Sequence, residues 1–185
     1  MHRDLIIRAQ AGDHDAFSAI ATEVVGRLHA TARLILRDVE RADDAVQDAL
    51  VAAWLDIRGV RDPDRFDAWL HRLLVRACYK VAGRDRRRQL REVALLPSDA
   101  PAVADGVGML AMRDQLERGF RRLPPDQRAV LVLHHYLGFG DNEAADVLDI
   151  PVGTMKSRLN RATHALRAAL EADERQVGSL GRTLA

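Results

Sequence analysis

Residues 140–167 read GDNEAADVLDIPVGTMKSRLNRATHALR, and this stretch decides the fold of the chain. A first helix is predicted to begin near Asp141, and the chain then turns at Pro151, because proline cannot occupy a helix interior. A second helix begins near Gly153 or Thr154, with Thr154 as the preferred cap. Two helices joined by a turn this short indicate a helix-turn-helix, a motif that can enter a DNA groove.

The second helix of this motif has an apolar side and a cationic side. Its apolar positions, from Met155 to Leu166, are spaced three and four residues apart, as a helix requires. Residues 151–167 contain four cations and no carboxylate. Such a surface can pair with phosphate oxygens and base edges, and an ordinary basic helix exposed to solvent is the alternative interpretation. The outward-facing side chains are Lys156, Ser157, Arg158, Asn160, Arg161 and His164.

The composition favours an all-α fold. Hydrophobic residues make up 48% of the chain but aromatic residues only 4%, and no segment alternates apolar and polar residues as a strand would. Cys78 is the single cysteine, so it cannot form an intrachain disulfide, and we expect it to be a small core residue. No signal peptide or long apolar run is present, which predicts a soluble, cytoplasmic protein.

Two helical blocks flank a segment that is a poor helix former. Residues 96–108, LPSDAPAVADGVG, contain two prolines and two glycines among small and acidic residues, a composition typical of a flexible tether. We therefore predict two small helical domains joined by a flexible linker. The predicted boundaries are an N-terminal domain at 1–91, a linker at 92–110, a helix-turn-helix domain at 111–173 and an irregular tail at 174–185.

The N-terminal block carries an acidic surface and a basic one. Helices are predicted over residues 15–37, capped at Asp13, and over residues 41–57. The second has a buried side rich in alanine, which leaves Asp44, Gln47 and Asp48 on an exposed acidic face. Residues 76–91 then contain seven cations against one acid. That run indicates either a nucleic-acid contact or a solvated helix end before the linker.

Several motifs, in this order and spacing, resemble the sigma-70 family of bacterial transcription initiation factors. The resemblance is to the short extracytoplasmic-function (ECF) type and extends from about residue 5 to residue 172. The motifs are ADDAVQD at 42–48, Trp54, FDAWL at 66–70, the arginine cluster, LPPDQRAVL at 123–131, Leu137-Gly138 and IPVGTMKSRL at 150–159.

The resemblance implies a dissociable specificity subunit of RNA polymerase. Its partners would be core RNA polymerase (clamp helices and flap), promoter DNA and an anti-sigma factor. The acidic helix would dock on the clamp helices through Asp44, Gln47 and Asp48. The helix-turn-helix would read the minus-thirty-five element through Thr154, Lys156, Ser157, Arg158, Asn160 and Arg161.

The loop after the acidic helix, with the helix that follows it, would bind the minus-ten element and hold an extruded base of the non-template strand. The implied contacts are Arg58, Arg61, Arg65, Arg72, Arg76, Lys80 and Arg84. Arg76 and Lys80 stand where the family commonly has Asn and a polar or acidic residue, so a different base preference is expected. Gly140 stands where the family often has a Ser cap, and Asp141 could cap the first motif helix instead.

The alternative function is a stand-alone helix-turn-helix regulator that binds duplex DNA. The acidic helix with Gln47 and the framework of Trp54 and Trp69 favour the sigma factor, because a simple repressor needs neither. An enzyme is not expected, since the chain has no phosphate-binding glycine loop, no Cys/His metal spacing and no nucleophile–base pairing. We therefore predict no catalytic residue and no cofactor. No metal site is expected either, because adjacent His134 and His135 would point about 100° apart on a helix and could not easily bind one metal ion.

Overall fold

A computed structural model of the chain describes the backbone of residues 3–89 and 107–183, with side chains at 3–84 and 114–172. Within these ranges every regular element is helical and none is a β-strand, which confirms the predicted fold class. The main helices are α1 (Arg3–Gln10), α2 (His14–Leu36), α3 (Val39–Asp56), α4 (Phe66–Gln89), α5 (Val107–Arg122), α6 (Pro125–Leu131), α7 (Asp141–Leu148) and α8 (Val152–Thr183).

Helices α2 and α3 begin at aspartate caps. The side chain of Asp13 accepts a hydrogen bond from the backbone N–H of Ala16 at 3.0 Å, which confirms the predicted cap. Asp38 accepts one from the N–H of Arg41 at 3.0 Å. Each carboxylate satisfies a donor that the first helical turn leaves without an intrahelical partner.

The core of the first four helices lies between α2, α3 and α4. Helix α3 contributes an alanine side, formed by Ala42, Ala45, Ala49 and Ala53, each at most 1% exposed. Small side chains let the neighbouring helices approach closely. Ile20, Val24 and Leu28 form the buried side of α2, and each is at most 1% exposed.

The connection between α3 and α4, predicted as a charged loop, consists of two short 3₁₀ turns at Ile57–Gly59 and Pro63–Arg65. Gln10 at the end of α1 holds this loop. Its Nε2 donates to the carbonyl oxygens of Ile57 at 3.2 Å and Val60 at 2.6 Å.

The last four helices form a second group, in which α5 and α6 pack against α8. Helix α6 continues into a π-helical turn at Val132–Tyr136. The chain then reverses at Gly138, whose φ of +73° lies in the left-handed region that favours glycine. Helices α7 and α8 follow as the helix-turn-helix.

The two groups also contact each other, with α7 lying against α4 and α6 against α2. The sequence predicted two small helical domains joined by a flexible linker, and it did not predict this interface between them. The predicted linker falls mainly in residues 90–106, which lie outside the described residues, and α5 begins at Val107.

Three local expectations differ from the structure. Helix α8 begins at Val152, so Thr154 lies inside it and is not the cap. Gly140, rather than Asp141, is the N-cap of α7. Helix α8 also continues to Thr183, through most of the stretch expected to be an irregular tail. That stretch has no proline, and its Glu174, Arg175 and Gln176 are good helix formers, so neither its two glycines nor its lack of amphipathic periodicity ended the helix. In the described ranges no helix has both the length and the apolarity needed to span a bilayer.

Candidate nucleic-acid interface

The helix-turn-helix is closed by backbone hydrogen bonds around a tight turn. Asp149 ends α7 in a left-handed conformation, with φ of 58°. The N–H of Ile150 donates to the carbonyl of Ala145 at 3.1 Å, and the N–H of Met155 donates to that of Pro151 at 3.0 Å. Pro151 serves as the first residue of the turn into α8 because it has no N–H to leave unsatisfied.

The outward face of α8 is exposed as the sequence predicted. Met155 and Ala162 are fully buried, and Thr154 and Arg158 are half-buried. Within this face the Nε of Arg161 donates to the carbonyl of Ser157 at 3.4 Å. The exposed side chains are Lys156, Ser157, Asn160, Arg161 and His164.

The acidic face of α3 is larger than the sequence indicated. Asp44 and Gln47 are exposed and Asp48 is half-buried. Val51 and Leu55 continue the same face at helical spacing, and 53% and 71% of their surfaces remain exposed. Exposed aliphatic residues beside carboxylates make a mixed surface suited to a protein partner. Sequence reasoning missed both residues, although their spacing from Asp44 and Asp48 carried the signal.

The predicted minus-ten cations form a line along α4 and a cluster in the preceding loop. Arg72 is half-buried, and Arg76, Lys80 and Arg84 are exposed at successive four-residue steps. Arg58, Arg61 and Arg65 are exposed in the loop. Lys80 forms an ion pair with Asp48 of α3, with its Nζ 3.0 Å from the carboxylate.

A cavity opens beside this loop. It is lined on one side by Val60, Arg61, Arg65, Trp69 and Arg72, among others. Its other wall comes from α7 of the second helical group, through Asp146 and Val147. The cavity combines an aromatic ring, apolar surface and guanidinium groups, a chemistry that can hold a stacked base and a phosphate.

Ion pairs join the same cations to α7. The Nη2 of Arg65 lies 2.7 Å from the carboxylate of Asp146. Asp149 pairs with Arg72 at 2.6 Å and with Arg76 at 3.0 Å. The hydrogen bond and charge of Arg72, followed by those of Arg76, lower the pKa of Asp149 below its usual value.

Sequence reasoning missed these pairs. Residues 141–149 contain four acids and no cation. This pattern favours a basic neighbour for α7, but it does not indicate which element supplies one.

His71 is buried where α4 meets the second group. Its Nδ1 lies 2.8 Å from the carbonyl of Asp67, to which it donates, and its ring meets Phe139 edge-on at 5.4 Å. Its Nε2 has no hydrogen-bond partner among the described residues. Burial lowers the pKa of His71, and this outweighs the opposing effect of the Asp67 carboxylate 3.7 Å away. His71 therefore favours the neutral state in the folded protein.

A second contact between the groups places two arginines close together. Arg37 pairs with Glu117 of α5 at 2.8 Å. Arg128 of α6 is only 8% exposed. Burial first, and the charge of Arg37 second, lower the pKa of Arg128 to about 10.

Cys78 is buried, and burial raises the pKa of its thiol to about 12, as befits a core residue. The rings of His134 and His135 are 4.8 Å apart and nearly perpendicular, at 82°. No group of three or more potential metal ligands occurs among the described side chains.

Protein-family models match both halves of the chain. The model for Sigma-70 region 2 matches residues 20–89, and that for Sigma-70, region 4 matches residues 113–166. The ECF RNA polymerase sigma factor SigM of Mycobacterium tuberculosis is 34% identical over 168 residues, which cover 90% of this chain and 83% of that protein. The chain belongs to the sigma-70 family, as an ECF RNA polymerase sigma factor.

Other relatives and solved structures agree with this membership. SigW of Bacillus subtilis is 26% identical to this sigma factor, over 92% of this chain and 97% of that protein. The structure of CnrH in complex with the cytosolic domain of CnrY has a TM-score of 0.65 at 30% identity, covering 92% and 97% of the two chains. The sigma factor RpoE from Bartonella quintana, in complex with the anti-sigma factor NepR, has a TM-score of 0.66 at 27% identity, covering 85% and 98%.

The match to region 2 decides between the two functions that the sequence left open. A stand-alone helix-turn-helix regulator would account for the region 4 match alone. This sigma factor also carries the N-terminal half that such a regulator lacks, and sigma factors as a family are not enzymes.

Proposed function

We propose that this sigma factor binds the two promoter elements with separate surfaces, one on each domain. An N-terminal domain at 1–91 docks on core polymerase and binds the minus-ten element, and a domain at 111–173 reads the minus-thirty-five element. The observation that carries this division is the pair of cationic surfaces, one on α4 and its preceding loop and the other on α8. The two surfaces belong to the halves that match regions 2 and 4.

Docking on core polymerase uses the face of α3 that bears Asp44, Gln47 and Asp48. Exposed carboxylates attract arginines and lysines of a partner helix and orient its approach. Val51 and Leu55 extend this face with exposed apolar surface towards the end of α3, where desolvation favours association. The partner surface on the clamp helices should therefore be basic opposite the acids and apolar opposite Val51 and Leu55.

The minus-ten strand lies along α4, and an extruded base enters the cavity beside the 58–65 loop. Trp69 and the neighbouring guanidinium groups offer stacking and phosphate contacts. Extruding a base costs a few kcal/mol of stacking and pairing, which these contacts offset. Lys80 is paired with Asp48, and Arg72 and Arg76 are paired with Asp149, so each of these cations exchanges a carboxylate for a phosphate when the strand binds.

The exposed face of α8 enters the major groove of the minus-thirty-five element. Lys156, Ser157, Asn160 and Arg161 can reach base edges or phosphates, since they are exposed on the helix that buries Met155 and Ala162. Thr154 and Arg158 are half-buried at the edges of this face and contact phosphates.

An anti-sigma factor is a further partner that we propose for this chain. The support is that two solved relatives are complexes, one with the anti-sigma factor NepR and the other with the cytosolic domain of CnrY. The sigma factor would act in the cytoplasm, where the family meets RNA polymerase.

The test of this function is co-elution with core RNA polymerase followed by run-off transcription from a linear promoter. Asp44→Arg should abolish both, because it places a positive charge against a basic partner. Glu23→Arg, an equal charge reversal at an exposed position of α2, is the matched control and should retain both. Asp48→Arg added to Asp44→Arg tests the full face, although it also breaks the pair with Lys80. Duplex binding that needs no polymerase would instead support the stand-alone regulator.

A further inference from the structure

A second cavity opens on the exposed face of α8, within the second helical group. His135 of the π-helical turn and Asp141 at the start of α7 contribute to its lining. The polar lining side chains from α8 include Lys156, Asn160, His164 and Arg167. Lys156 and Asn160 also belong to the face proposed to enter the major groove, so the cavity continues that face along the helix.

The lining of this cavity suits a backbone phosphate. Lys156 and Arg167 are exposed cations, and the amide of Asn160 can donate a hydrogen bond. Asp141 is the one carboxylate among the described lining side chains, and it lies 3.8 Å from Lys156. Phosphates border the major groove, and at least half of the hydrogen bonds between proteins and DNA go to phosphates and sugars. A helix that lies in the major groove therefore brings a cavity along its side close to the backbone.

Two histidines in this cavity have no role in the proposed function. His135 and His164 are both exposed, and within the described part of the chain neither pairs with a carboxylate, whereas His134 lies 3.9 Å from that of Asp141. The charged or titratable side chains around the two histidines are Asp141, Lys156 and Arg167 in the lining and His134, whose ring is 4.8 Å from that of His135. Both histidines can therefore pair with an external anion.

The charge of a histidine depends on pH in a range where the charges of lysine and arginine do not change. Histidine gains its proton between about pH 8 and pH 5. A negative neighbour favours the charged form, and a charged ring donates from both nitrogens, whereas a neutral ring donates from one. A phosphate that enters the cavity is therefore bound together with protons.

We propose that His135 and His164 bind backbone phosphates of the minus-thirty-five element in their protonated state, so that promoter binding takes up protons and strengthens as pH falls. This role rests on the proposed entry of the α8 face into the major groove. It adds two contacts that depend on pH to the permanent charges of Lys156 and Arg161. The sigma factor then holds the upstream element more tightly in mildly acidic than in mildly alkaline solution.

Salt dependence distinguishes these contacts from a structural role of the histidines. Each cation that meets a phosphate releases condensed counterions, and the slope of log Kd against log salt concentration grows by about 0.9 per contact. A neutral histidine releases none. The number of counterions that the sigma factor releases should therefore be larger at pH 6 than at pH 8.

The test measures binding of the reconstituted holoenzyme to a fluorescein-labelled promoter duplex that supports run-off transcription. Fluorescence anisotropy gives Kd between roughly 50 and 200 mM salt, at pH 6 and at pH 8. For the wild type we expect the slope to be steeper at pH 6 by about one to two, at about 0.9 per protonated histidine. His135→Gln with His164→Gln should abolish this difference and leave the slope at pH 8 unchanged.

His14→Gln is the control, because His14 is an exposed histidine of α2 outside the cavity. It should keep the wild-type difference between the two slopes, including any part that comes from titration of the polymerase. His135→Lys with His164→Lys supplies permanent charges and should give the steeper slope at both pH values. Unchanged slopes in the Gln pair, or an equal loss of slope at pH 6 and pH 8, would overturn the proposal.

Lys156→Ala with Arg161→Ala separates this inference from the function on which it rests. If this pair weakens binding at both pH values and the Gln pair removes the difference in slope, both assignments stand. If it weakens binding while the Gln pair leaves the slopes unchanged, the α8 face stands and the histidine contacts fail. If neither pair has an effect, the placement of α8 at the minus-thirty-five element fails with them.

Discussion

Asp149 both ends α7 and forms ion pairs with α4, and so links the helix-turn-helix to the N-terminal group of helices. Its backbone ends α7 in the left-handed region, which aspartate tolerates better than most residues. Its carboxylate accepts from Arg72 and Arg76 of α4. His71 lies on the same side of α4, buried against Phe139. Single residues at this junction therefore determine both local geometry and the fit between the two halves.

His71 should make stability depend on pH. An unfolded histidine has a pKa of about 6.5, and burial lowers that of His71 in the folded protein. Below about pH 6.5 the unfolded chain binds a proton that the folded chain does not, so the free energy of unfolding falls as pH is lowered and is fully retained above that value. Asp67, Arg27 and Glu143 are the charged groups that act on it.

Urea denaturation between pH 5 and 8, followed by circular dichroism, measures this effect. In His71→Gln the slope of stability against pH should become smaller. In His135→Gln, a change at an exposed position, the slope should equal that of the wild type. Equal slopes in all three proteins would show that His71 does not titrate differently on folding.

The exposed face of α8 gives a second prediction for single residues. Lys156→Ala and Arg161→Ala should each weaken binding of the polymerase holoenzyme to the upstream promoter element by about 1–3 kcal/mol if they contact bases, and by less if they contact only phosphates. Filter binding with promoters mutated in one element at a time measures the loss. Arg167→Ala, a cation farther along the same helix, is the comparison and should have a smaller effect. Wild-type transcription from both variants would remove the assignment.

At the scale of helices, local chemistry accounts for where most elements begin and end. Aspartates cap α2 and α3, glycine permits the reversal before α7, and alanines let α3 approach its neighbours. The 3₁₀ turns after α3 depend instead on Gln10 of another helix. Capping and spacing are visible along the chain, whereas a hydrogen bond from a distant residue is not.

Substitutions at two glycines measure how backbone conformation alone affects the stability of the helices and the turns between them. A Cβ at Gly26 inside α2 or at Gly138 in the reversal would meet no atom within 4 Å, but only Gly138 has a positive φ. Gly26→Ala should therefore raise the free energy of unfolding by about 0.5–1 kcal/mol, because alanine favours a helix. Gly138→Ala should lower it by about 1 kcal/mol or more through left-handed strain.

Urea titrations of the two variants beside the wild type measure these changes. Because neither substitution adds a clash, the sign of each change reports backbone conformation alone. A stabilising Gly138→Ala would show that the reversal does not require its left-handed glycine.

For the whole molecule, the contacts within each helical group and the ion pairs between the groups differ in burial. The apolar cores within each helical group are closely packed, whereas the ion pairs of Arg65 and Arg76 with α7 are largely exposed. Burial of aliphatic side chains stabilises by far more than an exposed ion pair does. The buried contacts within each half should therefore contribute much more to the free energy of unfolding than the exposed ion pairs between the halves do.

Leu28→Ala and Arg65→Ala test this difference. Leu28 lies in the core of the first group, and its truncation should cost about 2–5 kcal/mol. Arg65→Ala removes the pair with Asp146, in which 63% and 60% of the side chains are exposed, and should cost at most about 1 kcal/mol. Thermal and urea unfolding measure both, and a loss of several kcal/mol in Arg65→Ala would mean that the contact between the halves is part of the core.

Much of the site was visible along the chain because its residues lie within single helices. The exposed positions of α8, the acidic face of α3 and the cationic line of α4 follow from helical spacing, and most of these side chains are exposed, whereas Arg158, Asp48 and Arg72 are half-buried. Val51 and Leu55 were missed because apolar residues on a helix are usually assigned to its buried side. The pairing of Lys80 with Asp48 was missed because helical spacing does not say which helices are neighbours.

The sequence by itself determined the helical class, the helix-turn-helix, the alanine side of α3 and the family, because each is written in the order and spacing of nearby residues. Only the tertiary structure decided that α7 lies on α4, that Asp146 and Asp149 pair with arginines of α4 and its preceding loop, and that His71 is buried between the halves. These contacts join residues more than sixty positions apart, so they depend on how the surfaces of the two folded halves pack together. The charge and shape of those surfaces are defined only once the helices have formed.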